Sequence, residues 1–98
     1  ETSKDFESVA TLRLQARLAT LLLRLADSIG RPAPGGGVLL PIRLSQTDLS
    51  MLVAATREAV NKQLGAWREA GLVAQEGGRL VVRRRAALAA MEAAEDTV

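Results

Sequence analysis

The sequence predicts a mainly α-helical domain with one small β-hairpin, an α+β arrangement. Three observations predict it. Residues 45–70 hold two hydroxyl-led helix starts, at Ser45 and Thr56, separated by a short alanine break. Two apolar segments, Leu72-Val73-Ala74 and Leu80-Val81-Val82, flank a glycine turn of hairpin type. A leucine-rich stretch of helical period precedes them and an alanine-rich stretch follows.

Taken in order, residues 1–8 are polar and are expected to form a disordered residual linker, leaving 9–98 as the folded domain. From Val9, the positions Val9, Leu12, Leu18, Leu21, Leu22, Leu25 and Ile29 recur at helical spacing, with Arg13, Arg17 and Arg24 mainly on another side. They predict an amphipathic helix of about five turns that stops near Gly30. Its leucine stripe is assigned to the core; docking of its upstream end on a further domain is the alternative. The connector RPAPGGG (31–37) is turn-rich, and its glycines are not followed by the Lys-Ser/Thr of a phosphate-cradling loop. VLLPIRL (38–44) predicts a short strand that Pro41 confines to a sheet edge. Ser45 is then an N-cap, with Asp48 at the third helical position where a carboxylate meets the positive helix end. Leu49, Leu52 and Val53 are expected to supply the buried face of this short helix. Ala54-Ala55 makes the break, and Thr56 caps a second helix from Arg57 to about Ala70, with Gly71 as its stop. Leu72–Ala74 and Leu80–Val82 flank Glu76-Gly77-Gly78-Arg79 as the hairpin. A last helix spans Ala86 to about Ala94, and the stretch Glu92–Val98 is read as an acidic, solvated tail. Helix, strand, helix, turn, helix and hairpin in this order describe a winged helix-turn-helix.

Composition narrows the function classes. A chain of 98 residues, 48% apolar, supports a single modest core. It contains no Cys and no His, which removes disulfides, the commonest metal ligands and the usual general base near neutral pH. No paired carboxylates or nucleophile–base arrangement stands out, so neither catalytic residues nor a metal site nor a cofactor is predicted in this chain, and an enzyme is not expected. No apolar run approaches the ~20 residues of a bilayer span and no signal peptide is visible, so a cytoplasmic location without membrane contact is expected. The chain opens on Glu1 rather than Met and is expected to be part of a longer polypeptide. Net charge is only +2, with an isoelectric point near 9.9. Its distribution is more telling: between Arg43 and Arg85 eight basic residues face four acidic ones, a local excess of four positive charges.

The second helix of the pair carries the most specific signal. Val60, Leu64 and Trp67 recur at i, i+4 and i+7 and are expected to face inward, which leaves Glu58, Asn61 and Lys62 exposed, with Arg57 on the flank of the same amino-terminal turn. Such side chains are the first to enter a DNA major groove. Arg57 can donate two parallel bonds to guanine O6 and N7, Glu58 can accept from a cytosine amino group, and Asn61 can address adenine. A carboxylate aimed at polyanionic DNA is costly, so Glu58 beside Arg57 suggests a specific C·G contact; an ordinary first-turn Arg-Glu pair is the alternative. Ser45, Gln46, Thr47 and Thr56 lie at two helix amino termini, where hydroxyls, amides and free N–H groups hold phosphates, in addition to plain capping. Arg79 at the hairpin tip is a further phosphate candidate or, equally, a solvated surface residue. Arg83-Arg84-Arg85 leads away from that tip and suits a solvated face or a partner contact as well. Trp67 has the spacing of a core residue rather than a base-stacking one.

With these residues in place, the chain resembles the carboxy-terminal DNA-binding domain of the Crp–Fnr transcription regulators. Leu44-Ser45-Gln46-Thr47-Asp48-Leu49 carries the likeness, followed by Val53-Ala54-Ala55-Thr56-Arg57-Glu58-Ala59-Val60-Asn61-Lys62-Gln63-Leu64. Gly71-Leu72-Val73, the wing Gly77–Val82 and the upstream Arg17–Ala26 helix extend it to about Leu12–Met91. The resemblance implies that Arg57 and Glu58 read bases, that Lys62 stands where a second basic reader, usually Arg, is found, and that Ser45 and Thr56 touch phosphate. Ala54 replaces the usual turn Gly, Ala59 a common Thr, and Gln63 a common apolar residue, so the half-site need not match any relative's. The resemblance also implies an amino-terminal sensor domain outside this chain that takes a cyclic nucleotide or other effector. A homodimeric parent on a palindromic duplex, with RNA polymerase as a further partner, is implied too. A winged-helix module that binds protein instead of double-stranded DNA is the competing reading.

Overall fold

Helix α1 (Thr2–Ile29) runs 28 residues without a Gly or Pro. The computed structural model describes the backbone of residues 2–96 and the side chains of 12–93. The helix therefore includes residues 2–8, where a disordered linker was expected: once nucleated, a helix extends through polar residues at little cost per residue. Its buried face is Ala16, Leu18, Ala19, Leu22, Leu23 and Ala26. Leu21 and Leu25 pack at its margin, whereas Leu12 (42% exposed) and Ile29 (38% exposed) lie off it; Val9 lies outside the described side chains. The stripe holds more alanine than the leucine pattern suggested, and α4 (Arg85–Asp96) packs along α1 with Leu88 fully buried. Methyl-sized side chains let two helices approach closely. Helix α4 also runs on through Glu92–Asp96, part of the expected acidic tail, with Thr97 and Val98 outside the described residues.

The sheet is larger than a hairpin. Four antiparallel strands, β1 (Arg31–Pro32), β2 (Val38–Leu39), β3 (Val73–Glu76) and β4 (Arg79–Val82), stand in the order β1-β2-β4-β3. The 38–44 segment was expected on an edge, yet β2 is internal, pairing with β1 on one side and β4 on the other. Pro41 ends the pairing instead of marking an edge; Leu40, fully buried, is the last to join, donating to the Leu80 carbonyl at 2.9 Å. The outer position belongs to β1, cut from the RPAPGGG connector, and Pro32, which has no N–H to donate, suits an outermost strand. Gly37 makes that turn possible: its φ is +88°, and a Cβ there would collide with the Val82 carbonyl oxygen. In the wing, Glu76 pairs with Arg79, and Gly77 (φ 59°) and Gly78 (φ 81°) alone form the turn, the two-positive-φ signature of a type I′ hairpin.

Helices α2 (Gln46–Val53) and α3 (Arg57–Glu69) lie between the two β segments of the chain. Val60, Leu64 and Trp67 are at most 2% exposed and join the α1 leucines, Leu49 and Val53 in one core. Among the described residues, Trp67 Nε1 is the buried side-chain polar atom with no partner, and its burial removes the indole from any stacking surface. In α2 the inward residues are Leu49, Ser50 and Val53, whereas Leu52 is 60% exposed. With about 100° of rotation per residue, the shared direction of 49, 50 and 53 points Leu52 well to one side. The buried Ser50 hydroxyl is satisfied by donating to the Thr47 carbonyl at 2.7 Å.

Ala54 ends α2 in the left-handed region (φ 55°, ψ 51°), donating from its N–H to the Ser50 carbonyl. Left-handed backbone costs a residue with a Cβ about 1–2 kcal/mol, and Ala54 is exposed, so its methyl group returns little packing. Ala54→Gly relieves that strain while adding unfolded-state entropy, and is expected to stabilise the domain by about 0.5–1 kcal/mol. A thermal melt should rise by a few degrees; an unchanged or lower midpoint would contradict the strain assignment.

Candidate nucleic-acid interface

Both helix starts of the α2–α3 pair are capped by their own side chains. Ser45 Oγ accepts from the Asp48 N–H and Asp48 Oδ2 accepts from the Ser45 N–H, each at 3.0 Å, a reciprocal capping box. Thr56 Oγ1 accepts from the Ala59 N–H at 3.1 Å. At the far end of α2, Arg17 reaches from α1 to donate to the Val53 carbonyl at 3.4 Å, a cation placed at a helix carboxyl terminus. The turn is thus held from both sides. A capping hydroxyl that accepts from backbone still carries its own O–H, so Ser45 and Thr56, both exposed, keep a donor for an anion.

Glu58, Asn61 and Lys62 lie on α3 away from its buried stripe and Arg57 lies on the stripe's flank in the first turn, all four exposed. Gln46, Thr56, Arg57 and Glu58 line a shallow depression where the amino ends of α2 and α3 meet. Thr47 is exposed beside it. Gln46 differs from the other proposed phosphate ligands: its Nε2 donates to Asn61 Oδ1 at 2.6 Å, crossing from α2 to α3. No sequence pattern announced this link, because the partners are fifteen residues apart and polar.

At the wing, Arg79 is half-buried and its Nε donates to the Pro41 carbonyl at 3.2 Å. One terminal nitrogen of Arg79 lies near Gly77, and the guanidinium of Arg43 lies beside Gly78, 3.9 Å from where a side chain there would begin. Arg43, noted in the sequence only as one charge of the basic stretch, therefore flanks the wing turn. Its place there depends on the loop after Pro41, and no local motif encodes it. Arg83 is committed within the fold: it donates to the Pro34 carbonyl at 3.1 Å and to the Gly36 carbonyl, and pairs with Glu76 at 3.2 Å. Arg85 pairs with Asp27 of α1, and Arg84 is exposed. Among the described residues no cluster of acidic side chains could hold a metal ion and no helix is long and apolar enough to cross a membrane.

Comparison with known proteins agrees with this geometry. The family model described as a Crp-like helix-turn-helix domain matches residues 16–91. The "Anaerobic regulatory protein" of Bacillus subtilis is 36% identical over 69 residues, covering 69% of this chain and 29% of its own length. A "Global nitrogen regulator" of Synechococcus elongatus is 31% identical over 88 residues, covering 90% of this chain and 39% of its own. Among solved structures, the catabolite activator protein of Thermus thermophilus superposes with a TM-score of 0.76 at 26% identity, over 96% of this chain and 40% of that one. The chain thus spans between 29% and 40% of the length of these relatives.

The Thr56 cap sets where α3 begins, so Thr56→Ala is expected to cost about 1 kcal/mol of stability. Urea denaturation should show a lower midpoint with an unchanged slope; an unmoved midpoint would contradict the capping role.

Proposed function

We infer that this chain, which belongs to the family of Crp-like helix-turn-helix domains, is the sequence-specific DNA-binding output domain of a transcription regulator, with α3 in the major groove. One observation carries the reading: Arg57, Glu58, Asn61 and Lys62 are exposed together at the amino half of a helix whose apolar stripe is sealed in the core.

In this reading Arg57 offers its planar fork to guanine O6 and N7. Glu58, beside it in the first turn, takes a cytosine amino hydrogen, which offsets the repulsion a carboxylate meets near phosphates. Lys62, one turn further on, supplies a compact charge without a fork and contacts either a base acceptor or phosphate. Phosphates rest against the amino termini of α2 and α3, where the O–H groups of Ser45, Thr47 and Thr56 and the positive helix ends converge. Arg79 and Arg43 grip the backbone beside the wing. The parent protein acts as a homodimer on a paired site, governed by an effector bound outside this chain and in contact with RNA polymerase. A single chain binds one half-site weakly, because avidity comes from engaging two at once.

Arg57→Ala is expected to relax discrimination at one G·C pair and to cost about 1–3 kcal/mol of binding on the preferred half-site. Fluorescence anisotropy on matched and singly substituted duplexes reads this, and an equal loss on every sequence would make Arg57 a phosphate ligand instead. Wild-type affinity should fall steeply with salt, with a log–log slope of about −0.9 per phosphate neutralised. A flat salt response, or no duplex binding, would contradict the DNA-binding reading and favour a protein-docking role.

A further inference from the structure

We propose that Gln46 is a specificity-determining residue: its carboxamide tethers that of Asn61 so that Asn61 presents only hydrogen-bond donors to the duplex and selects a base with a carbonyl in the major groove. The proposal rests on the base-reading role of α3.

A free asparagine is ambivalent. It holds one acceptor and two donors at the end of a short side chain, and its usual bidentate contact with adenine uses both kinds, accepting from N6 and donating to N7. Asn61 is not free. Its Oδ1 accepts from Gln46 Nε2 at 2.6 Å, across the gap between the first turn of α2 and the second turn of α3. Gln46 is half-buried and rooted in a helix start fixed by the Ser45–Asp48 box, so the tether has a stable anchor. With the carbonyl turned toward α2, the Nδ2 amino group of the exposed Asn61 is what remains for a ligand. An adenine N6 donor would have to share with Gln46 a carbonyl oxygen already engaged at 2.6 Å. In the major groove guanine offers the adjacent acceptors N7 and O6 and thymine offers O4, whereas adenine sets its N7 acceptor beside the N6 donor and cytosine offers only the N4 donor. A donor-only Asn61 therefore favours carbonyl-bearing bases: cytosine has nothing to accept from it, and adenine, the partner expected of an unrestrained asparagine, keeps a single bond at N7 and is disfavoured. Gln46 acts here as a positioning residue behind Asn61 and not as a phosphate ligand.

Two substitutions separate the tether from a merely structural contact. Gln46→Ala leaves the capping box in place and releases Asn61. Gln46→Glu puts an acceptor-only group at the same point, which draws Asn61 Nδ2 inward and turns Oδ1 outward. The test is sequencing of bound duplexes from a library randomised over one half-site, with the wild type, Q46A, Q46E, N61A and R57A as baits. The base pair at which N61A loses selectivity marks the Asn61 contact. There the wild type is expected to choose guanine or thymine over adenine and cytosine by about tenfold. Q46A should lose that choice or move toward adenine, and Q46E should reverse it toward an amino-bearing base, with the Arg57-dependent pair unchanged in both. Adenine or cytosine selected by the wild type would overturn the proposal. So would a wild-type pattern retained by Q46A or Q46E, or an N61A pool indistinguishable from wild type. In each of those cases the Arg57-dependent preference persists, so the base-reading role of α3 stands. A wild-type pool with no preference at any position would remove that role and the tether with it.

Discussion

An α-helix can turn only one stripe toward a core, and in α3 that stripe is fully claimed. Val60, Leu64 and Trp67 are buried against the α1 leucines, Leu49 and Val53, and burial of side chains this large stabilises by about 1.5–3 kcal/mol each. No rotation of α3 keeps those three inside and also hides Glu58, Asn61 or Lys62, while Arg57, on the flank of the stripe, is exposed at the helix's first turn. The exposed charged face is thus enforced by the apolar one. The rest of the domain follows as support. Helix α4 packs along α1, and Arg17 with the two hydroxyl caps holds the turn through which α2 hands the chain to α3.

The pieces most legible in the sequence are those with local physics. Ser45 and Asp48 three residues apart specify a capping box whatever surrounds them, and the Gly77-Gly78 pair specifies a turn with two positive φ values. The i, i+4, i+7 stripe of α3 is equally self-contained. Less legible are features set by what packs nearby. Leu52 is as apolar as Leu49, and only the direction shared with Ser50 and Val53 in an eight-residue helix turns it to solvent. Pro41 weakens strand pairing, yet Pro32 upstream takes the outer strand, which no reading of 38–44 alone could give. The Gln46–Asn61 bond and the approach of Arg43 to the wing join residues distant in sequence through polar atoms, where no periodicity exists to betray them.

Charge illustrates the same distinction. A net +2 says little, because the cations differ in where the fold puts them. Some are held in contacts within the domain, and others, Arg79 with its bond to the Pro41 carbonyl included, stand at the α3 and wing surface. Arg17, Arg83 and Arg85 bond to groups within the domain, and exposed pairs such as Arg85–Asp27 contribute little stability. Arg57 and Lys62 on α3, with Arg43 and Arg79 at the wing, surround the surface that the fold leaves open. Position, more than number, makes this domain suited to a polyanion.

The duplex-binding surface we propose is formed by the amino ends of α2 and α3, with the wing beside them. Backbone amide shifts of the isotopically labelled chain, followed by nuclear magnetic resonance during titration with duplex DNA, test it most directly. The largest changes are expected at Ser45–Asp48, Thr56–Lys62 and Gly77–Arg79, with α4 and the outward side of α1 scarcely moved. Changes centred on α4 and α1, with the start of α3 silent, would contradict it.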